Sequence, residues 1–214
     1  MSVQCRVTEI FYSLQGETRT VGLPTVFVRL TGCPLRCTFC DTAYAFHGGE
    51  KMDIRDIVSQ VAHYKPRYIT VTGGEPLAQK SCLPLLAALC DLGVEVSLET
   101  SGAIDISNVD SRVVCVMDLK TPGSGEEAKN RYDNVALLKP NDQVKFVICD
   151  RADYDWARLK LADYGLPSQC EILFSPIHGQ LDPATLADWI IEDNLPVRMQ
   201  IQMHKYLWHD EPGR

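Results

Sequence analysis

Short apolar, β-branched runs, each ending in an abrupt polar or glycine-rich cluster, recur along this 214-residue chain, and that rhythm constrains its fold more than any other feature. Residues 26–30, 68–71, 94–98, 113–117, 143–148, 171–174 and 197–201 have the length and composition of strands. Helical patterns stand between several of them. Asp53 is placed to cap a helix to about Tyr64, with Ile54, Ile57, Val58 and Val61 on one face. Others run from Cys82 to Leu92, where Gly93 stops the helix, from about Tyr154 to Tyr164, and from Asp182 or Pro183 to about Glu192. Strands alternating with helices predict βα units and a parallel sheet. In such sheets the functional loops lie past the carboxyl ends of the strands, so these polar clusters should converge on one rim. A full eight-fold barrel takes about 250 residues. This shorter chain predicts an α/β fold, a partial, open βα barrel of about six parallel strands, with residues 1–214 as one domain.

The composition, 45% hydrophobic and 23% charged, supplies an ordinary core. A net charge of −7 argues against non-specific binding to nucleic acid or anionic lipid, both of which favour basic surfaces. Nine cysteines, an odd number in a chain of this length, do not read as a disulfide framework. Cys82, Cys90, Cys115, Cys149 and Cys170 sit in apolar runs as buried thiols. The chain does not open with a basic stretch leading into an apolar one. No run approaches the roughly 18–20 apolar residues of a membrane span. The expectation is a soluble cytoplasmic protein with no nucleic-acid or membrane partner.

The run Gly32-Cys33-Pro34-Leu35-Arg36-Cys37-Thr38-Phe39-Cys40-Asp41 directly follows the first of these strands, with cysteines spaced C-x₃-C-x₂-C. Three neighbouring thiolates can hold three corners of an iron–sulfur cluster and leave the fourth open to a small molecule. The rival is a closed zinc site with His47 as fourth ligand, although zinc sites more often carry two C-x₂-C pairs. One βα unit later comes Thr72-Gly73-Gly74-Glu75-Pro76, where paired glycines let backbone approach a ligand closely and Glu75 could grip an ammonium group. Arg29 is a cation in an apolar strand, which is costly unless paired. A ligand carboxylate would suit its planar fork, and Glu17 or Glu9 is the competing partner. Trp156 and Trp189 read as core or dimer contacts, and residues 126–129 as a solvated helix start.

Together the cysteine run, with Phe39 before its last cysteine, and Gly73-Gly74-Glu75-Pro76 resemble the radical S-adenosylmethionine (SAM) superfamily. Phe11-Tyr12-Ser13-Leu14-Gln15-Gly16-Glu17, Cys40-Asp41-Thr42, Glu99-Thr100-Ser101-Gly102 and His204-Lys205-Tyr206-Leu207 narrow this to a resemblance to the 7-carboxy-7-deazaguanine synthase family, over residues 9–207. The resemblance implies a [4Fe-4S] cluster on Cys33, Cys37 and Cys40 whose open iron binds SAM. It also implies reductive cleavage of SAM to a 5′-deoxyadenosyl radical, and SAM regenerated after each turnover. The implied lyase reaction contracts the ring of 6-carboxy-5,6,7,8-tetrahydropterin, expels ammonia, and serves queuosine synthesis and tRNA modification. By the same resemblance Leu14, Gln15, Gly16, Arg29 and Thr72 contact substrate, and Thr42 binds Mg²⁺, for which a hydroxyl is a suitably hard donor. Phe39, Asp41, Gly74, Glu75, Asp118, Leu119, Lys120 and the loop Ser175, Pro176, Ile177 and His178 lie where the family binds SAM. Arg214 takes the place of a terminal carboxylate offered to substrate. A homodimer and an electron donor such as flavodoxin or ferredoxin are implied partners. Two other readings share the cysteine motif. One is an activase that installs a glycyl radical on a partner protein, and the other is a non-catalytic metal-binding module.

Overall fold

The computed structural model describes residues 3–209, 211 and 213. In chain order its elements are β1 (Gln4–Leu14), β2 (Pro24–Leu30), β3 (Glu50–Asp53), α1 (Ile54–His63), β4 (Tyr68–Gly73), α2 (Cys82–Cys90), β5 (Glu95–Thr100), β6 (Val114–Asp118), β7 (Gln143–Ile148), α3 (Arg151–Asp163), β8 (Glu171–Pro176), α4 (Pro183–Glu192), β9 (Arg198–Met199) and α5 (Met203–Trp208). Among the described residues the strands form one sheet in the order β3-β1-β2-β4-β5-β6-β7-β8-β9. From β2 onward neighbouring strands run parallel, the last of them a two-residue stub at β9. The expected open parallel sheet is therefore present, with β1 and β3 added antiparallel at its first edge.

Those two additions lay outside the sequence reading for a physical reason. β1 mixes Arg6, Thr8, Glu9 and Ser13 with its apolar residues, as an antiparallel strand with one wet face does. β3, Glu50-Lys51-Met52-Asp53, has no strand-like composition and is held by pairing with residues 4–7. Asp53 does precede α1, but its side chain makes no capping bond and its buried Oδ1 has no partner among the described residues. The caps of α3 and α4 follow the usual rule: Asp150 accepts from the Asp153 amide, and Asp182 from that of Ala184.

Period-two alternation gives the sheet two unlike faces. Val26, Val28, Leu30, Ile69, Val71, Val96 and Leu98 pack with Ile57 and Val61 of α1 and Leu85, Leu86 and Leu89 of α2. Val144, Phe146, Ile148, Ile172 and Phe174 pack with Tyr154, Ala157 and Leu161 of α3 and Leu186 of α4. Each fully buried Leu or Ile contributes about 1.5–3 kcal/mol of transfer free energy. Trp156 and Trp189 lie partly buried against this second cluster. The intervening residues, among them Phe27, Arg29, Thr72, Glu99, Asp118, Lys145 and Val147, face a cavity on the other side. No helix among the described residues is long and apolar enough to cross a membrane.

Candidate functional site

The cavity holds about 270 Å³ at the carboxyl ends of the parallel strands. Cys33, Cys37 and Cys40 line it from the loop after β2, half-buried and with no disulfide. That loop is anchored by the segment that follows β6. Thr38 donates through its amide to Ser124 O at 3.0 Å and through its hydroxyl to Gly123 O at 2.8 Å. The Arg36 amide donates to Glu126 Oε1 at 2.5 Å, so residues 126–129 form a brace for the loop as well as a 3₁₀ turn. The Arg36 guanidinium stacks 4.3 Å from the Phe46 ring centroid and donates back to Cys33 O and Leu35 O. Burial pushes the Cys33 and Cys37 thiols up from their ordinary pKa, against a pull from Lys120. Binding a metal cluster there must displace thiol protons.

The loop after β4 lies directly against the cysteine loop, and this is where glycine is required. Gly73 has φ +148°, and a Cβ on it would sit 2.1 Å from Leu30 O. A Cβ on Gly74 would sit 2.4 Å from Gly32 O and 2.6 Å from the Cys33 Cβ. Glu75 is placed differently from the expectation that it grips a ligand. It is fully buried, and it does not line the cavity. Its Oε1 accepts from Leu77 N at 2.9 Å and Thr100 Oγ1 at 3.0 Å; its Oε2 accepts from Thr100 Oγ1, Ser101 N and Ser101 Oγ. It ties the β4 loop to the end of β5.

Leu14, Gln15, Gly16, Arg29 and Thr72 all line the cavity, as do Phe39, Asp41, Thr42, Gly74, Asp118, Lys120 and Ile177. Gln15 donates to Glu99 Oε1 and Thr70 Oγ1, each at 3.2 Å, and Thr72 donates to Glu99 Oε2 at 2.9 Å. Arg29 Nε donates to Glu9 Oε1 at 2.6 Å, which Tyr44 Oη also reaches at 2.8 Å. The internal ion pair anticipated as the rival for Arg29 is thus formed through Nε. The guanidinium lies over the Phe11 and Tyr44 rings and still borders the cavity.

Above this wall sits α5. Met203 N donates to Gly16 O at 3.0 Å, and a Cβ on Gly16 would meet His204 Nδ1 at 2.2 Å. Asp41 accepts from Thr42 Oγ1 at 2.8 Å and Gln202 Nε2 at 3.2 Å, and pairs with Lys205 at 3.4 Å. Its setting raises the cost of charge, but Lys205 and the Thr42 hydroxyl hold its pKa down at about 2.

Several expected residues lie elsewhere. Leu119, Ser175 and Pro176 are buried in the fold and do not border the cavity. His178 lines a separate small recess beside Tyr206. His47 is exposed and stands outside the cavity lining, apart from the three cysteines. No group of three or more His, Cys, Asp or Glu side chains among the described residues is arranged about a single ion position. A cubane cluster takes one thiolate per iron, so its ligands do not converge on one point. Arg214 lies outside the described residues.

Two carboxylates, Glu17 and Glu99, and one ammonium, that of Lys145, carried no ligand role in the sequence reading, and they join Asp118 and Lys120 in one cluster. Glu17 Oε2 lies 2.7 Å from Lys145 Nζ, which is 3.6 Å from Asp118 Oδ2. Lys120 Nζ is 3.0 Å from that same Asp118 oxygen. Burial pushes the Glu99 pKa up and Glu17 adds to this, against Lys145 and the Thr72 hydroxyl. The sequence signal for Lys145 was a charge between Val144 and Phe146, the same signal that singled out Arg29.

Comparisons with known proteins fit this geometry. Residues 27–111 match the family model of the radical SAM superfamily. A 7-carboxy-7-deazaguanine synthase from Chlorobaculum tepidum is 44% identical, covering 96% of this chain and 94% of its own. One from Koribacter versatilis is 42% identical, covering 96% and 98%. The crystal structure of QueE from Escherichia coli superposes with a TM-score of 0.77 at 23% identity, covering 94% of this chain and 95% of that one.

Proposed function

Because the chain belongs to the 7-carboxy-7-deazaguanine synthase family of radical SAM enzymes, we propose that it is a lyase converting 6-carboxy-5,6,7,8-tetrahydropterin to 7-carboxy-7-deazaguanine with loss of ammonia, in queuosine biosynthesis. The observation that carries this reading is that one cavity unites the three thiols, the glycine strip and a wall of hydrogen-bonding groups suited to a flat, polar heterocycle. The glycyl-radical activase is not favoured, since these relatives match over nearly the full length of both chains.

Cys33, Cys37 and Cys40 would hold the [4Fe-4S] cluster, and Gly74 keeps the β4 loop close enough to the cysteine loop for its backbone to contact SAM. The three half-buried thiols, and a glycine cradle that any Cβ would fill, suit that pair of groups. When bound, they supply the radical that removes a substrate hydrogen. The chain's own residues do the rest. Gln15 and Thr72 fix the two oxygens of Glu99, so that its carboxylate meets the heterocycle edge in one orientation. Glu99 holds a proton more readily than an ordinary glutamate and is the group suited to keep or release one beside a ring nitrogen. Arg29, fixed through Nε by Glu9, turns its remaining N–H groups to the substrate carboxylate. Phe11 and Phe27, stacked at 4.9 Å, form an apolar wall that excludes water.

Thr42 would hold Mg²⁺. The hydroxyl and the adjacent ionised Asp41 are a hard-oxygen set appropriate to it. Asp118 and Lys120 contact SAM. The reading also includes one domain, a homodimer, a flavodoxin or ferredoxin reductant, a cytoplasmic setting, and a product used in tRNA modification.

The test is turnover of the carboxylated pterin by air-free, cluster-reconstituted protein with dithionite, followed by chromatography of the deazapurine. Full cluster occupancy without product overturns the reading. Thr42→Ala should keep iron content and SAM binding while the stimulation by Mg²⁺ falls by about tenfold, the scale of a weakened metal ligand set. An unchanged Mg²⁺ response removes Thr42 from that role.

A further inference from the structure

One buried charge has no part in the reading above. Within β7, Val144, Phe146 and Ile148 pack into the core, while Lys145 and Val147 line the cavity. The Lys145 ammonium, 12% exposed, stands between Glu17 Oε2 at 2.7 Å and Asp118 Oδ2 at 3.6 Å. The register sets this arrangement, because Lys145 pairs directly with Asp118 across β6 and β7. Burial opposes its charge, but Glu17 and Asp118 outweigh burial and hold its pKa above the ordinary lysine range.

Each carboxylate uses one oxygen for this contact. Glu17 Oε1 and Asp118 Oδ1 are buried and have no hydrogen-bond partner among the described residues. A buried acceptor without a donor is unfavourable, so such atoms are normally satisfied by something. Here two of them flank one lysine, on residues that both line the cavity. Glu17 belongs to the loop of Gln15 and Gly16, and its amide donates to Gln15 Oε1 at 3.3 Å. Asp118 belongs to the other side, paired with Lys120 and close enough to Cys37 to act on its thiol.

We propose that Lys145 is a positioning residue that clamps Glu17 and Asp118 by one oxygen each, so that the second oxygen of Glu17 accepts from an N–H of the bound heterocycle and that of Asp118 from an O–H or N–H of SAM. This rests on the reading above of what the cavity binds. A single side chain thereby sets the spacing between the two ligands, which never contact it through their reacting atoms.

The experiment is equilibrium binding of the carboxylated tetrahydropterin and of SAM to air-free, cluster-loaded protein without reductant. Lys145→Ala should keep its iron content and weaken both ligands by about tenfold or more, as expected for displaced charge-assisted contacts in a dry site. Ethylammonium should restore both affinities in a saturable way, which a merely structural role would not allow. Affinities within about twofold of the unaltered protein, loss confined to one ligand, or no rescue would each overturn the proposal. Should Lys145→Ala fail to fold, the near-isosteric Glu17→Gln and Asp118→Asn carry the test. The first should weaken the pterin alone and the second SAM alone, and any other pattern refutes the assignment. Unaltered protein that binds both ligands yet makes no 7-carboxy-7-deazaguanine would overturn the proposed function and leave this inference standing.

Discussion

The two walls of the cavity are built from different chemistry. The first, from the loops after β2 and β4, consists of thiols and bare backbone: Cys33, Cys37, Cys40, Gly73 and Gly74. The second, from β5 to β7, consists of ionisable side chains: Glu99, Asp118 and Lys145, with Glu17 reaching in from the loop after β1. The first wall is shaped by close approach, so its requirement is absence of side-chain bulk. The second is shaped by charges in a poorly hydrated place, where each group needs a partner to stay ionised. The cysteine loop is left half-exposed and braced by Ser124, Gly123 and Glu126. The charged wall is only slightly exposed, with Glu17 and Asp118 held by lysines and Glu99 by Gln15 and Thr72.

Substitutions separate the two walls. The largest effect is expected for Cys37→Ala, which should abolish cluster binding and turnover. The absorption near 400 nm, an approximate position for thiolate-bound iron, disappears while the melting temperature of the cluster-free chain moves by less than about 3 °C. A collapse of the cluster-free fold would mean that the thiol wall is structural as well. Glu75→Ala should act in the opposite sense, on stability before ligand affinity. It leaves the Thr100, Ser101 and Leu77 donors buried without their acceptor, a loss on the order of 3–5 kcal/mol by denaturant titration. Weaker SAM binding at undiminished stability would return Glu75 to the ligand. Gly74→Ala comes next. Its Cβ meets backbone and Cys33 Cβ, so the two loops must part, and iron content should fall together with about 2 kcal/mol of stability.

The smallest effect, and the one that tests the charged wall, is Glu99→Gln in the ligand-free protein. Burial raises the Glu99 pKa in the folded chain. The folded state then holds that proton more tightly than the unfolded one, so ionisation above the unfolded value of about 4.3 opposes folding. The stability this proton contributes is complete below that value and is lost as pH rises through the folded pKa. Glu99→Gln should therefore raise the melting temperature by a few degrees at about pH 8 and leave it nearly unchanged at about pH 4, while substrate affinity falls. A lower melting temperature at the higher pH would show that attraction to Lys145 exceeds the burial penalty.

Much of the first wall could be read from the chain, because its determinants are local. Cysteine spacing, adjacent glycines and a strand just before them lie within short stretches, and the backbone periodicities that organise them are local as well. The parallel strands followed for the same reason, whereas β3 did not, since its polar residues become a strand only by pairing with residues 4–7. Glu75 shows the limit within a motif. Its neighbours in sequence suggested a ligand, and Thr100 and Ser101, 25 and 26 positions away, occupy its oxygens instead.

The sequence by itself determined the βα rhythm, the thiol triplet and the glycine strip, all of which follow from residue types at fixed short spacings. Only the tertiary structure decided which charges meet: Arg29 with Glu9, Asp41 with Lys205, and Lys145 with Glu17 across 128 positions of chain. Coulomb and hydrogen-bond energies act through distances in space, and in a folded sheet those distances are set by strand order and register, which no short stretch of sequence contains.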